Sequence, residues 1–459
     1  MKRASHRILI IGGVAAGPAA AAKAKRLNPN LDITLFEQGE FISYGTCSMP
    51  YYVGDVIKNH EDIITFSPEK FEKEKGCVVK TKHRVVEIKP HRRRIVVHNL
   101  HDDKFEECEY DQLLIAAGAS ARVPNKEWLK ASNVFTIKHL SDSIAVKNYI
   151  AQKNPRKVTI IGGGYIGMEM AEAFSERHLD VTVIHKAGHP MNTLESETQA
   201  IVLDEIKRHG VQFIGSSEIQ TIAIEGGAAK SVKTQHQSIE ADLIVLALGF
   251  EPNTELAKNI KIRCGRFGGI LTDQFLRTNI EHIYAAGACT EIKNIVSNKP
   301  IYLPLGNIAN KMGWIAGENI AGGHAEFRGV VRTTAVKVFD LEVASVGLSS
   351  VEAEASGFKV VIESIRAYSH SRAYPGSKPV FVKLIIDGLS KRLIGANLVG
   401  EKGAALRADV LSVAIQNKMT IRQIAEMDLM YTPPLAPVWD PILVAANQAA
   451  KKLDKKILN

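Results

Sequence analysis

An internal repeat constrains the fold of this 459-residue chain more than any other feature. Each copy begins with a short apolar strand, continues into a glycine-rich turn and a helix, and returns as a second apolar strand. The first copy covers residues 8–37 and the second covers residues 158–185. This order of elements is a βαβ unit, which binds dinucleotides. The repeat therefore predicts an α/β fold with two Rossmann-like dinucleotide-binding domains.

The glycine turns identify the residues that would hold the two dinucleotides. Glycine is needed where the chain turns tightly and where the backbone approaches a pyrophosphate, and the following helix directs its amide groups at the phosphates. The first turn has a valine where the usual motif has its middle glycine, whereas the second turn is complete. The predicted cofactor-binding residues are Gly12, Val14, Ala15 and Gly17 in the first copy, and Gly162, Gly164, Tyr165, Ile166, Gly167 and Glu169 in the second.

The residue that ends each second strand indicates which dinucleotide binds. Glu37 ends the first unit, and a carboxylate there accepts hydrogen bonds from a ribose diol, as in FAD or NAD(H). His185 and Lys186 stand at this place in the second unit, where they would attract a 2′-phosphate. We therefore expect NADPH at the second site, with NADH as the alternative. The other interpretation is that His185 and Lys186 are ordinary loop residues.

Charge and composition exclude several classes of partner. The chain carries 58 Lys and Arg against 49 Asp and Glu, a formal net charge of +9. These basic residues are scattered, and aromatic residues make up only 6% of the chain. We expect no nucleic-acid partner, because a nucleic-acid site clusters basic residues on one face. No apolar run reaches the roughly 18 residues that span a bilayer, so no membrane association is predicted.

The five cysteines are Cys47, Cys77, Cys108, Cys264 and Cys289. They form no C-x-x-C motif and no metal-type cluster with histidines, so no metal site is expected. Their odd number and wide spacing favour a reducing compartment. Residues 1–7 lack the apolar stretch of a signal peptide. We therefore expect a cytoplasmic protein.

The candidate redox residue is Cys47, in the sequence Ser-Tyr-Gly-Thr-Cys-Ser-Met-Pro-Tyr-Tyr of residues 43–52. A helix that begins near Cys47 would favour its thiolate. An internal dithiol would place a second cysteine five residues away, but Ile42 and Tyr52 occupy those positions. A redox-active Cys47 must therefore pair with an external thiol or pass through sulfenic acid. The alternative is a buried structural cysteine.

Both glycine turns, the Cys47 segment and residues 285–291 and 305–323 resemble the pyridine nucleotide-disulfide oxidoreductases. The match is to their single-cysteine branch, which includes coenzyme A-disulfide reductases, sulfur reductases, and NADH oxidases and peroxidases. The resemblance covers nearly the whole chain and implies a glutathione-reductase-like homodimer. It implies an FAD domain at 1–115 and 245–328, an NAD(P)H domain at 116–244, and an α+β dimerisation domain at 329–459.

Within this branch, the first glycine turn separates the activities. Oxidases and peroxidases carry a histidine in that turn, and the matching residue here is Ala15. Coenzyme A-disulfide reductases have small residues there and basic side chains on the first helix, matched by Lys23 and Arg26 as substrate-binding residues. The resemblance thus implies NAD(P)H-driven reduction of coenzyme A disulfide or a related low-molecular-weight disulfide, with coenzyme A, through FAD and Cys47.

Three alternatives stay open. One is a polysulfide or sulfur reductase that holds coenzyme A as a cofactor. Another is an NADH oxidase or peroxidase. The third is a nucleotide-binding regulator without turnover, because the family places an aspartate where this chain has Ala288, and that aspartate hydrogen-bonds the ribityl chain of FAD.

The resemblance assigns roles to further residues by position. Tyr431 matches a tyrosine that enters the partner subunit's active site, and Tyr374 is a weaker candidate for the same region. Ser43 is assigned to catalysis and Thr46 to substrate binding, since both lie in the Cys47 segment. The remaining predicted cofactor-binding residues are Ala117, Gly118, Gly249, Gly287 and Ala288.

Overall fold

The computed structural model describes residues 6–455 of the chain. Residues 1–5, most of the segment that lacks a signal-peptide pattern, lie outside this part. The first stretch is a βαβ unit followed by a small antiparallel sheet, and its elements are β1 Arg7–Ile11, α1 Ala16–Leu27, β2 Asp32–Phe36, α2 Met49–Val53, α3 Pro68–Lys75, β3 Val78–Lys80, β4 His83–Lys89, β5 Arg94–Asn99, β6 Lys104–Glu109, β7 Gln112–Ile115 and β8 Ala119–Ala121.

A second unit of the same kind follows. Its elements are β9 Val134–Thr136, α4 Leu140–Lys153, β10 Lys157–Ile161, α5 Tyr165–Glu176, β11 Asp180–Ile184, α6 Ser196–Arg208, β12 Gln212–Ile214, β13 Ile219–Glu225, β14 Ala228–Thr234, β15 Ser238–Glu240 and β16 Leu243–Leu246. Its parallel sheet has the order β12-β11-β10-β16-β9. Both faces of such a sheet are covered, so β16 is a continuous buried apolar run and every residue of β10 after Lys157 is buried.

The chain then returns to the first sheet. The returning elements are β17 Phe250–Pro252, α7 Glu255–Asn259, β18 Ile283–Ala285, β19 Ile292–Lys293, β20 Pro300–Ile301 and α8 Gly306–Ile320. Strand β18 joins the order β18-β7-β1-β2-β3, so the first unit is built from two separate pieces of sequence. The antiparallel pair β8–β17 marks where the chain leaves this unit and re-enters it. The boundary predicted between residues 244 and 245 falls inside β16, so the second sheet extends past it.

Helices α1 and α8 lie in direct backbone contact beside the first glycine turn. A Cβ on Gly313 would meet the Ala16 carbonyl oxygen at 2.2 Å, and one on Gly317 would meet the Ala20 carbonyl oxygen at 2.3 Å. Only glycine permits this approach, which packs the second half of α8 against the first half of α1.

The last part is an antiparallel sheet covered by helices, as predicted from its change of pattern. Its elements are β21 Thr333–Val338, β22 Leu341–Gly347, α9 Ser350–Glu354, β23 Val360–Tyr368, β24 Pro379–Asp387, β25 Leu393–Gly400, α10 Ala405–Gln416, α11 Ile421–Ala425 and α12 Pro441–Lys455. The strand order is β21-β22-β25-β24-β23. Among the described residues, no helix has the length and apolarity needed to cross a membrane.

Candidate cofactor sites and redox cysteine

The first glycine turn lies between β1 and α1 and is shaped by two close backbone contacts. Gly12 has a φ of +107°, and a Cβ there would meet the Ala116 carbonyl oxygen at 2.2 Å. A Cβ on Gly17 would meet the Gly12 carbonyl oxygen at 1.9 Å. Gly17 therefore permits the close packing of α1 against the turn.

Glu37 holds the first turn through both carboxylate oxygens. The Gly13 amide donates to Oε2 at 2.7 Å, and the Gly39 amide donates to Oε1 at 2.7 Å. The Glu37 side chain is almost fully buried. Such charge-assisted bonds are the strong class of hydrogen bond, so the turn and the strand-end loop are fixed relative to each other.

A cavity of about 780 Å³ opens in front of this turn. Among the predicted residues that line it are Gly12, Val14, Ala15, Glu37, Thr46, Ala117, Gly118, Gly287 and Ala288. Gly118 and Gly287 both have positive φ, and an added Cβ on Gly118 would meet nothing within 4 Å. A cavity of this size with a glycine-rich floor at a helix start and a buried strand-end carboxylate fits FAD. The side chain of Ala288 is a methyl group. The backbone carbonyl oxygen of Ala288 accepts a hydrogen bond from the Tyr302 hydroxyl at 3.0 Å.

The second glycine turn, between β10 and α5, repeats this geometry. Gly162 has a φ of +116°, and a Cβ there would meet the Ala247 carbonyl oxygen at 2.2 Å. A Cβ on Gly167 would meet the Gly162 carbonyl oxygen at 1.9 Å, whereas one on Gly164 would meet nothing within 4 Å. The open space at Gly164, at the start of α5, fits a dinucleotide pyrophosphate.

The strand-end residue of the second unit also contacts its turn. The Gly163 amide donates to His185 Nδ1 at 3.1 Å. Lys186 is exposed beside it. Gly249 lies in a separate loop with a φ of +89°, where its carbonyl accepts a bond from the Arg122 amide. Tyr165 and Glu169, both on α5, extend toward other parts of the chain.

Tyr165 joins the second unit to the last part of the chain. Its hydroxyl lies 2.9 Å from the Thr334 hydroxyl on β21. Ile166, the next residue, is partly buried against the apolar core that the second sheet shares with α2. The start of α5 is therefore packed where the first, second and last parts of the chain meet.

Cys47 lies in a short 3-10 turn, Thr46–Ser48, directly before α2. Its side chain is exposed and next to Thr46, which lines the FAD-type cavity. Surrounding protein raises the pKa of the Cys47 thiol by desolvation, and the Glu169 charge raises it further. Thr46 and Lys138 act in the opposite direction. Ser43 has a positive φ of 47°, and its amide donates to the Gly13 carbonyl, which fixes this segment against the first turn.

Glu169 is the titratable neighbour of this thiol. Burial raises its pKa to about 7, and the nearby Glu172 carboxylate contributes to the same shift. A carboxyl group that titrates near neutral pH beside a cysteine is the kind of perturbed pair that marks reaction centres. Sequence reasoning had assigned Glu169 only to dinucleotide binding.

The two basic residues predicted on α1 differ in their surroundings. Lys23 is buried, its ammonium lies 2.9 Å from Glu318 Oε2, and it also lies 3.7 Å from the centre of the Trp314 ring. Its charge is thus already compensated from α8. Arg26, one turn further on, is exposed. Their role in substrate binding stays a prediction.

Tyr374 and Tyr431 lie together on the surface of the last part, since the Ser371 amide donates to the Pro433 carbonyl between their two loops. Both tyrosine side chains are exposed and neither lines the cavity of its own chain. Met430 and Trp439, in the same segment of chain as Tyr431, are also exposed. Several exposed apolar side chains close together in sequence are consistent with an interface with another protein.

The cavity has further lining residues that no sequence motif predicted. Lys138 and His139 come from the loop after β9, and Asn253 comes from the loop after β17. Both backbone amides of the Lys138–His139 pair donate to the Asp142 carboxylate. A capping pattern, an acidic residue three positions after His139, was therefore visible in the sequence. The capping pattern does not indicate that Lys138 and His139 line a cavity formed by distant parts of the sequence.

Comparison with known families decides the identity of this architecture. The family described as "Pyridine nucleotide-disulphide oxidoreductase" matches residues 6–302, and its dimerisation domain matches residues 333–441. This chain belongs to the pyridine nucleotide-disulphide oxidoreductase family. The predicted family and fold class are confirmed. The chain is an FAD-dependent, NAD(P)H-using flavoprotein disulfide reductase, and the dimerisation domain makes it a homodimer.

Individual relatives extend along almost the entire chain. The NAD(P)H sulfur oxidoreductase (CoA-dependent) of Pyrococcus abyssi is 35% identical over 442 residues, which cover 96% of this chain and 97% of that protein. The coenzyme A disulfide reductase of Staphylococcus aureus is 32% identical over 446 residues, which cover 96% and 99%. The crystal structure of reduced CoADR-RHD from Bacillus anthracis superposes with a TM-score of 0.95 at 31% identity, covering 99% of this chain and 82% of that one.

Proposed function

We propose that this disulfide reductase acts on coenzyme A disulfide or a related low-molecular-weight disulfide. The observation that carries the proposal is the lone exposed Cys47 thiol beside the FAD-type cavity. No other cysteine lies within five residues of it, which excludes a neighbouring dithiol and favours an external thiol as its disulfide partner. Relatives named for coenzyme A, at 32–35% identity over nearly the full chain, support this substrate class.

Cys47 is the proposed nucleophile. Its thiolate attacks one sulfur of the substrate disulfide, forming a mixed disulfide with one half and releasing the other half as a thiolate. Two electrons from NAD(P)H then break the mixed disulfide, which releases the second half and restores the Cys47 thiolate. FAD and the pyridine nucleotide, when bound, supply hydride transfer and pass these electrons.

Three polar groups are proposed to act on this thiolate. The negative charge of Glu169 raises the pKa of the Cys47 thiol, and the Glu169 pKa of about 7 would let this charge vary near neutral pH. Lys138 favours the thiolate through its positive charge. In the homodimer, Tyr431 of one subunit is proposed to reach the other subunit's Cys47 and donate a hydrogen bond to a sulfur, with Tyr374 close by.

The other predicted site residues are proposed to position the Cys47 turn or to bind coenzyme A. Ser43 and Thr46 position the Cys47 turn, the first through its backbone and the second on the cavity wall. Arg26 is the exposed candidate for coenzyme A phosphates, and Lys23 would have to leave Glu318 to join it. The proposed FAD domain ends and resumes at the β8–β17 pair, and the NAD(P)H domain lies between these strands. We also propose a cytoplasmic location, because the five cysteines are all free.

Polysulfide reduction is the second candidate, favoured by the 35% identical sulfur oxidoreductase of Pyrococcus abyssi. An oxidase or peroxidase is less well supported, because the methyl group of Ala15 on the cavity wall cannot transfer a proton. A nucleotide-binding regulator without turnover would require that the methyl group of Ala288 weakens FAD binding, and a purified protein that takes up no FAD would favour it.

The test is anaerobic NAD(P)H consumption by the FAD-loaded protein with coenzyme A disulfide, glutathione disulfide, cystine and polysulfide. The proposal expects coenzyme A disulfide to give the highest kcat/KM. Release of sulfide from polysulfide faster than of thiol from any disulfide would favour the second candidate. Rapid consumption of oxygen without a disulfide would favour the oxidase.

A further inference from the structure

Two exposed loops in the last part of the chain carry the tyrosines proposed to act in the partner subunit. The first tyrosine loop, residues 369–378 between β23 and β24, carries Tyr374. The second tyrosine loop, residues 426–440 between α11 and α12, carries Tyr431. A backbone hydrogen bond of 3.2 Å joins the two loops at the surface. A single hydrogen bond exposed to water contributes little net free energy, so this bond alone would not hold the loops in one arrangement.

The Arg407 side chain, on α10, joins the two loops beneath the surface. Its Nη2 donates to the Ser369 carbonyl oxygen at 2.8 Å, at the start of the first tyrosine loop. Its Nε donates to Asp440 Oδ2 at 2.8 Å, at the end of the second tyrosine loop. Its Nη1 donates to the Gly403 carbonyl oxygen at 2.8 Å, which orients the guanidinium. The Arg407 and Asp440 side chains are only 11% and 9% exposed, so this ion pair is held away from water.

The chemistry of the pair explains why it can fix two loops at once. Asp440 is itself held at the start of α12, because its Oδ1 accepts from the Ile442 amide at 2.9 Å. The planar guanidinium of Arg407 directs its donors along fixed directions, whereas a lysine ammonium is a point charge on a flexible stem. Removal of one partner of a buried ion pair leaves an uncompensated charge, so the two side chains hold each other in place.

The first tyrosine loop has a second anchor, the buried side chain of His370. Its Nε2 lies 3.2 Å from the Pro375 carbonyl oxygen, and because a carbonyl oxygen only accepts, Nε2 carries a proton. Its Nδ1 lies 3.1 Å from the Ser369 hydroxyl. The His370 ring also packs at 72° against the Tyr374 ring, with their centres 5.8 Å apart. Tyr374 is therefore tied within its loop to Ser369, the residue that Arg407 holds.

We propose that Arg407 and Asp440 are positioning residues for disulfide reduction. Their ion pair holds the two tyrosine loops in one arrangement, so that Tyr374 and Tyr431 reach the partner subunit's Cys47 together. This inference deepens the proposed function and rests on it, because that function brings these tyrosines to the partner subunit's thiol. Neither Arg407 nor Asp440 lines the cavity of its own chain, so both act through the loops.

Arg407→Lys tests the positioning, because lysine keeps the charge but loses the planar fork. Arg422→Lys is the matched control, since Arg422 pairs with Asp454 at 3.1 Å on the exposed surface of the same domain. The assay is anaerobic NADPH turnover of the FAD-loaded homodimer with coenzyme A disulfide. We expect Arg407→Lys to lower kcat by about tenfold, because a hydrogen bond to the reacting sulfur is misplaced. Its KM and its rate of flavin reduction by NADPH should stay within about threefold, and the control should change none of these values.

The same substitution in a Tyr374→Phe/Tyr431→Phe protein separates positioning from general stabilisation. With both hydroxyls absent, Arg407→Lys should change kcat by less than about twofold, because the groups that it positions are gone. An equal loss of kcat in both backgrounds would overturn the inference, since Arg407 would then act without the tyrosines. Asp440→Asn, which keeps an acceptor for the amide that follows it, provides a second route if Arg407→Lys does not fold.

A measurement without any disulfide separates this inference from the proposed function. ¹⁹F NMR of the oxidised, FAD-loaded protein follows 3-fluorotyrosine incorporated at position 374 or 431. Arg407→Lys or Asp440→Asn should shift or broaden both resonances, and Arg422→Lys should change neither. Unchanged resonances in the first two variants would overturn the inference. A protein that shows the expected resonances but reduces no disulfide would fail the proposed function alone.

Discussion

The bonds made by Glu37 give a prediction about FAD affinity. Glu37→Gln keeps the size of the side chain but removes its charge and replaces one acceptor oxygen with an NH₂ donor. Both carboxylate oxygens are in use, at 2.7 Å from the Gly13 and Gly39 amides. The glutamine can therefore satisfy only one amide, and its NH₂ group must face the other.

The expected loss follows from the strength of these bonds. A hydrogen bond to a charged group contributes roughly 1.5–3 kcal/mol, and a buried donor left without an acceptor costs a similar amount. We take about 2 kcal/mol as the free energy of FAD binding that is lost when the Glu37 carboxylate no longer holds the turn and the FAD ribose. FAD should then bind about 30-fold more weakly.

The assay is reconstitution of flavin-free protein with FAD, followed by flavin fluorescence to obtain the Kd. Glu40→Gln is the matched control, because the Glu40 side chain is 64% exposed on the same loop and lies 3.5 Å from the Lys82 ammonium. The control should bind FAD as the unchanged protein does. A Glu37→Gln protein with a Kd within twofold of the control would refute the reasoning.

Two further predictions concern the Cys47 thiol and the FAD-type cavity. Glu169→Gln should lower the pKa of the Cys47 thiol and Lys138→Met should raise it, because their charges act on it in opposite directions. The Glu169 effect should be seen only above about pH 7, where its carboxyl group is ionised, and iodoacetamide alkylation rates against pH measure both. A Glu169→Gln pKa equal to or above that of the unchanged protein would contradict the assignment. Ala288→Asp should tighten FAD binding by roughly tenfold by adding a charged acceptor, measured by the same reconstitution, and weaker binding would show that the methyl group is required.

Local patterns predicted the parts of the fold that depend on short stretches of sequence. The two βαβ units were recognisable because strand, glycine turn and helix follow one another within 30 residues. The glycines of both turns stand where close backbone contacts demand them, as at Gly12 and Gly162. Glu37 was recognisable because its place at the end of β2 is fixed by the same local order.

These local patterns did not predict contacts between segments that are distant in the sequence. Lys138 reaches the FAD-type cavity from the loop after β9, which belongs to the second sheet. Lys23 pairs with Glu318 because α8 packs on α1, and nothing near Lys23 in the sequence indicates this. The raised pKa of Glu169 depends on burial that arises only where the parts of the chain meet.

The central claim is that electrons leave the flavin through Cys47, and Cys47→Ser tests it most directly. Rapid mixing with NADPH without oxygen measures flavin reduction, and coenzyme A disulfide is added in a second mixing step. We expect flavin reduction within about threefold of the unchanged protein and disulfide reduction at least about a thousandfold slower. Cys108→Ser, remote from the reacting thiol, should lose neither step. A Cys47→Ser protein that still reduces the disulfide at the original rate would contradict the account.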